Sequence, residues 1–293
     1  MVEGEPRWLW PTTLDEALAE RARLGDDAMV VAGGVWATLL LNQGLVRPEA
    51  FLALGRVAGL DAIALDADGG LRLGATARLS AVARDPLVRR RYPFLADTYA
   101  RVANERVRNQ GTVGGNIAEA DYASDPPTTL SALDAEVELA RASGRRRLPL
   151  RDFLLGHYQT DLGGDELIVG LRLPPTGEVV GHYLKFVSRS SEDRPCAGVA
   201  AVAALDADGR CRRLDVAVGA VAATPALFPD LTAEAVGHPL TDDLLHDIAA
   251  SYADRIEALS DLRGSAAYRR RLVRALLPRA VRAALATLKA PAR

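Results

Sequence analysis

Val107-Arg108-Asn109-Gln110-Gly111-Thr112-Val113-Gly114-Gly115-Asn116 is the stretch on which the reading of this chain turns. Three glycines fall within positions 111–115, with Thr112 inside the run and Asn116 closing it. Peptides without side chains let successive backbone N–H groups converge on an anion. Asn116 tolerates unusual backbone angles and can donate from its amide. Taken alone, the segment reads equally well as a structural turn or as a glycine-rich ligand loop. Its neighbours along the chain have to decide.

Upstream, Ala32-Gly33-Gly34 lies between a short apolar strand, Met29-Val30-Val31-Ala32, and a helical stretch over 35–43. Glycine there admits a ligand close to the backbone, and the helix N-terminus behind it favours a phosphate. Two glycines alone are most simply a tight turn. Two glycine loops in one domain favour a ligand with two phosphates. Neither Gly-x-Gly-x-x-Gly nor a Walker loop occurs, which argues against a Rossmann-type nicotinamide site and against phosphoryl transfer. Downstream, Asp121-Tyr122-Ala123-Ser124-Asp125-Pro126-Pro127 reads as a capped helix start, with Asp125 at the N-cap ahead of a proline. The Asp125 carboxylate also suits a hydroxylated ligand, and the two readings are compatible.

Composition narrows the classes. The 293 residues suit two domains at roughly 100–200 residues each. With 49% hydrophobic and 25% charged residues, the chain can bury a sizeable core. A net charge of -2 gives no reason to expect nucleic acid or an anionic membrane as partner. Two cysteines, Cys196 and Cys211, cannot supply a four-thiolate iron–sulfur or zinc site, and they fit a reducing cytoplasm. His157, His182, His238 and His246 show no metal spacing, and no metal site is expected. No leader pattern shows at the N-terminus. The longest apolar run, 28–41, is too short for an integral membrane span, which takes about 20 residues. Arginines 269–271 read as a solvated helix face, with a docking surface the lesser reading.

Periodicity predicts a helix over 13–24 capped by Thr13, strands over 49–54, 62–65 and 71–74, and helices from Ser80 and over 92–102. A short helix over 128–132 and strands over 136–140, 145–148 and 168–173 follow. Pro174-Pro175-Thr176-Gly177 marks the best domain boundary. Three strands, 181–187, 198–204 and 213–221, lead into a tail read as helical over 242–288. Helices and strands do not strictly alternate, so the expected class is α+β rather than a doubly wound sheet.

The 107–116 block resembles the signature of the FAD-binding subunit of molybdenum hydroxylases, a family that includes the carbon monoxide dehydrogenase medium subunit and the xanthine dehydrogenase flavin domain. That signature runs Ile-Arg-Asn-x-Gly-[Thr/Ser]-[Ile/Val]-Gly-Gly-Asn, with an Asp nine residues on, where Asp125 stands. Ala32-Gly33-Gly34 lies at the family's first flavin loop, Glu166-Leu167-Ile168 matches its strand near the flavin, and Lys185 matches its basic residue. Asp261-Leu262-Arg263-Gly264-Ser265-Ala266-Ala267-Tyr268-Arg269 resembles its second-domain motif. The matches run in order over nearly the whole chain. Two departures stand out: Val35-Trp36 follow the first glycine pair where small or hydroxylated residues are usual, and Tyr122 stands where proline is common.

The resemblance implies a two-lobed FAD-binding domain (PCMH-like) over 1–176, then a smaller domain with an antiparallel sheet and helices over 177–293. It assigns Ala32, Gly33, Gly34, Val35, Trp36, Ala37 and Thr38, with Gly111, Thr112, Val113, Gly114, Gly115 and Asn116, to the FAD diphosphate and nearby atoms. It sets Ala103, Asp125, Ile168 and Lys185 near the cofactor. Implied partners are a large subunit holding the molybdenum cofactor and a small subunit holding [2Fe–2S] clusters, in a dimer of heterotrimers. On this reading the chain relays electrons, and no nucleophile or general base is expected on it. The competing readings are a self-contained flavin oxidase and a flavin-free scaffold.

Overall fold

The structure, a computed structural model, describes residues 5–175 and 177–289. Residues 1–4 of the stretch read as lacking a leader, Thr176 of the predicted boundary and residues 290–293 fall outside that range. The described part is α+β, as the expected class has it. Three strands, β1 (Arg7–Leu9), β2 (Ala28–Val31) and β3 (Ala50–Ala53), form a parallel sheet in the order β1-β3-β2. β1 is too short to leave a periodic signal and was not foreseen. Helix α1 (Leu14–Leu24) starts in a full capping box between Thr13 and Glu16, and α2 (Val35–Asn42) starts at Gly34.

A second sheet is antiparallel throughout. Its members are β4 (Ile63–Leu65), β5 (Leu71–Gly74), β6 (Glu136–Arg141), β7 (Gly144–Pro149) and a strand that arrives after a small hairpin, β8 (Leu154–Gly156) and β9 (Gln159–Thr160). That strand, β10 (Leu167–Leu173), fills the centre of the order β4-β5-β10-β6-β7. Between β5 and β6 run six short helices: α3 (Leu79–Arg84), α4 (Pro86–Arg91), α5 (Pro93–Ala100), α6 (Glu105–Gln110), α7 (Val113–Glu119) and α8 (Asp125–Ala132). Helix α9 (Leu150–Phe153) links β7 to β8.

The third sheet is also antiparallel: β11 (Val180–Phe186), β12 (Ala197–Leu205), β13 (Cys211–Gly219) and β14 (Ala226–Leu227), in that order. Residues alternate between two cores along its strands. Tyr183, Ala200, Val202 and Ala217 join the core built on α3–α9, while Val199, Ala201, Ala203, Val216 and Val218 join the one made with the C-terminal helices. Burial on both faces explains why 197–204 is almost continuously apolar. Helices α10 (Pro229–Ala233), α11 (Asp242–Arg255) and α12 (Ala266–Ala286) complete the chain. Among the described residues no helix is long and apolar enough to cross a membrane.

Three expectations about local structure need correction. The predicted loop over 111–116 is the start of α7, with Thr112 as N-cap. The tail is not one helical stretch: α11 stops before Ile256, and residues 256–265 form a turn closed by Asp261 and Gly264. Asp125 is not the N-cap of α8. Ser124 holds that position, and the Asp125 side chain serves another purpose.

Candidate functional site

The turn from β2 into α2 is built around two glycines with different duties. Gly34 has φ of 75°, a left-handed conformation that costs an L side chain energy. Gly33 lies against the end of α6: a Cβ there would stand 1.9 Å from the Gln110 carbonyl oxygen. That carbonyl also accepts a short hydrogen bond from Arg78. The first-turn N–H groups of a helix have no intrahelical acceptor, and no side chain caps those of α2. They open onto a cleft of about 560 Å³, of the usual size for a ligand site.

The second glycine block makes a different contribution from the one its sequence suggests. Its glycine amides are already engaged. Gly111 N–H donates to Val107 O at 2.7 Å, Val113 N–H to Ala77 O at 2.9 Å, Gly114 N–H to Ala75 O at 2.8 Å and Gly115 N–H to the Thr112 hydroxyl at 3.2 Å. Gly114 is a packing glycine, since a Cβ would stand 2.8 Å from the Ala75 Cβ. What this block offers the cleft is the surface of Gly111, Thr112, Gly115 and Asn116. Asn116 donates to Ser124 Oγ at 2.8 Å, while its own amide oxygen is buried without a partner in the chain. A buried acceptor left open at a cleft wall fits a ligand that brings a donor.

Asp125 and Lys185, predicted independently as site residues, are each other's partners. Lys185 Nζ donates to Asp125 Oδ2 at 2.9 Å and to the Arg101 carbonyl at 3.0 Å, and Tyr183 donates to Asp125 Oδ1 at 2.6 Å. Burial pushes the Asp125 carboxyl up, against the pull of Lys185. It raises the Tyr183 hydroxyl well above its ordinary value, with the Asp125 charge adding to it. Ala103 sits in the left-handed region with φ of 42°, and Arg108 bridges the Val102 and Ala103 carbonyls at 2.9 and 2.7 Å.

The cleft wall therefore gathers Ala32, Gly33, Gly34, Val35, Trp36, Ala37, Ala103, Gly111, Thr112, Gly115, Asn116, Asp125 and Lys185. Four predicted residues stand off it. Val113 and Gly114 are buried in the first turn of α7, Ile168 is buried in β10, and Thr38 lies one turn further along α2. Trp36, the departure from the family's first loop, stacks on Tyr158 with centroids 5.4 Å apart.

Sequence reasoning did not assign a wall of charge contributed by Glu119, Asp121, Arg194 and Arg263. Arg194 comes from a loop with no periodic or glycine signal. Asp261 and Arg263 belong to the C-terminal motif, and their use is now visible. Asp261 accepts from Tyr122, from the Arg263 N–H at 2.7 Å and from Arg269 Nη2 at 2.7 Å, while Arg263 donates to the Tyr122 hydroxyl at 2.9 Å. Burial opposes ionisation, but these donors hold the Asp261 carboxyl down at about 2. Arg269, expected from the sequence on a solvated helix face, is instead fully buried, with Nε and Nη1 unpartnered, because its guanidinium turns inward to Asp261. Tyr122 thus ties the turn after α7 to the C-terminal motif. Tyr122→Phe removes both bonds and should cost about 1–3 kcal/mol, read by urea denaturation; an unchanged midpoint would mean that the tie carries no stability. Among the described residues no three His, Cys, Asp or Glu side chains gather to hold a metal.

Comparisons with known proteins agree on one family. Residues 3–176 match the model of the FAD-binding domain in molybdopterin dehydrogenase, and 182–284 match the CO dehydrogenase flavoprotein C-terminal domain. The chain is 31% identical to the 6-hydroxypseudooxynicotine dehydrogenase complex subunit alpha of Paenarthrobacter nicotinovorans, over 93% of this chain and 92% of that one. It is 30% identical to the carbon monoxide dehydrogenase medium chain of Afipia carboxidovorans, over 99% and 100%. A solved Cu,Mo-CO dehydrogenase chain superposes with a TM-score of 0.92 at 28% identity, covering 98% of this chain and 99% of that one. Fold, cleft and comparisons together show that the chain belongs to the FAD-binding medium subunits of the molybdenum hydroxylase family, oxidoreductase components of multi-subunit dehydrogenases.

Proposed function

We propose that FAD lies in the cleft between the β2–α2 turn, the α6–α7 connection and the Arg194 and Arg263 wall, and that the chain relays electrons through it within a larger complex. The observation that carries this is the uncapped N-terminus of α2, opening at Gly33-Gly34 onto the cleft. Free amides there would hold the diphosphate. The Asn116 amide oxygen would accept a hydroxyl or ring N–H. The Lys185–Asp125 pair, fixed by Tyr183, would set a charge pattern without rearranging. FAD when bound supplies the exchange between single-electron and paired-electron carriers.

The partners that suit this role are a large subunit with the molybdenum cofactor and a small subunit with two [2Fe–2S] clusters, assembled as a dimer of heterotrimers. The chain would accept electrons from those clusters and pass them to an external acceptor. Cys196 and Cys211, both buried and free, support a cytoplasmic setting. The division between an FAD-binding domain, 1–176, and a C-terminal domain, 177–293, is supported by where the two family models meet. Denaturing the purified complex should release about one FAD per copy of this chain. A folded complex without flavin would sink the reading.

A further inference from the structure

Glu119 and Asp121 present two carboxylates to one guanidinium. Arg194 Nε bonds Asp121, and its Nη2 reaches Glu119 Oε1 at 3.4 Å. Asp121 is further committed, since its Oδ1 accepts the Ala123 N–H at 3.0 Å. Glu119 has only the long outer contact, with a side chain 15% exposed. It is also the last residue of α7, where the helix carbonyls disfavour another negative charge. Tyr158, on the β8–β9 turn, is in electrostatic reach of the same pair. The 188–194 loop adds Arg189, Glu192 and Asp193 to the wall, and Arg189 pairs with Asp193 at 3.4 Å. With both carboxylates ionised, the Glu119–Asp121–Arg194 cluster carries one negative charge in excess, inside a cleft read as the site of a diphosphate, while Arg263 of the same wall is engaged with Tyr122.

We propose that Glu119 is the proton-accepting group of this cleft, taking one proton from solvent as FAD binds. The proposal rests on the reading of the cleft as the FAD site. The proton ends on the Glu119 carboxylate, and no bond to FAD forms or breaks. An incoming dianion can be met by rearranging charge or by neutralising it, and Glu119 is the carboxylate of the cluster with the weakest hold on its cation. Burial, then repulsion from Asp121, raises the Glu119 carboxyl to about 7, with Arg194 opposing. Glu119 is then largely ionised in the free cleft at pH 8 and largely protonated at pH 5.5. Bound FAD raises its proton affinity further. The bound state thus holds more protons than the free state at pH 8, and FAD affinity falls as pH rises above 7.

The test is calorimetric titration of FAD into the flavin-stripped full chain, in buffers of different ionisation enthalpy, at both pH values. The wild type should take up about one proton per FAD at pH 8 and little at pH 5.5. Glu119→Gln should show no uptake and should bind at pH 8 as tightly as the wild type does at pH 5.5. Asp121→Asn should move the onset of uptake to lower pH, because it removes the repulsion that holds the Glu119 carboxyl up; a merely structural role would leave that onset in place. FAD binding without proton uptake at pH 8 overturns the inference alone. The same uptake in Glu119→Gln also overturns it and moves the proton to Asp125, the other raised carboxyl of the wall. Failure of the wild type to bind FAD at either pH overturns the reading of the cleft, and this inference with it.

Discussion

Lys185→Met is expected to cost the folded chain about 3–5 kcal/mol, because it leaves a buried carboxylate without its cation. Both side chains of the Lys185–Asp125 pair are 5% exposed, so water cannot replace the lost partner. Tyr183 keeps its bond to Oδ1, but a neutral donor does not offset a buried charge. The sign of the pH dependence follows from burial. It already lifts the Asp125 carboxyl, and Lys185 is the largest influence opposing that rise. Without Lys185 the folded-state value climbs further above the unfolded one. The folded chain then binds the proton more tightly than the unfolded chain, and stability falls as pH rises through that window. Acidification should therefore recover part of the loss, and Lys185→Met/Asp125→Asn should recover most of it at neutral pH. For the single variant, thermal scans of the flavin-free chain should show a fall on the order of 10 °C. A loss below about 1 kcal/mol, the worth of an exposed pair, would mean that the pair is hydrated. So would a double variant no better than the single one.

This pair also shows what the sequence could and could not convey. Asp125 and Lys185 were each identified as site residues by the family resemblance, one at the Asp position nine residues after Asn116 and the other at the family's basic residue. Nothing in a one-dimensional pattern says that residues 60 apart share a hydrogen bond. The α2 turn was legible because a buried strand, two glycines and a helix follow one another directly, and that local order is the structure. The 111–116 block was legible as a marker but not as a mechanism. Its glycines look like an anion nest, yet Gly111 and Gly115 already donate to near neighbours, and Gly114 donates to the Ala75 carbonyl, more than thirty positions upstream. Local propensity read α11 and α12 as one helical tail and missed the turn between them, because the apolar spacing of Ile256 and Leu259 continues through it. There Asp261 collects donors from Tyr122 and Arg269, a purpose that appears only once the turn after α7 meets the C-terminal motif. Arg194 was beyond reach for the same reason: its partners Glu119 and Asp121 are more than seventy residues away.

Gly33→Ala should abolish most FAD binding while leaving the fold in place. The added methyl would stand 1.9 Å from the Gln110 carbonyl oxygen and 2.8 Å from its carbon, and both atoms are backbone. Neither can rotate away, so the turn must retreat from α6 and carry the first amides of α2 with it. The lost ligand contacts are hydrogen bonds to a charged group, each worth about 1.5–3 kcal/mol. Losing two of them weakens binding by roughly 10²–10⁴-fold. The neighbouring glycine provides the contrast. At Gly34 the nearest atoms to an added Cβ are 3.9 and 4.0 Å away, so only the positive φ is at stake. Gly34→Asn, a residue that tolerates this conformation, should cost little. Gly55→Ala, where nothing lies within 4 Å, should bind as the wild type does. Flavin titration of the three variants, with circular dichroism to confirm that each is folded, separates crowding from strain. If Gly33→Ala and Gly34→Asn lose FAD equally, the turn matters for its backbone angles and not for its closeness to Gln110. If Gly33→Ala binds FAD at wild-type affinity, the diphosphate does not rest on the start of α2, and the amides that could hold it must be sought elsewhere along the cleft.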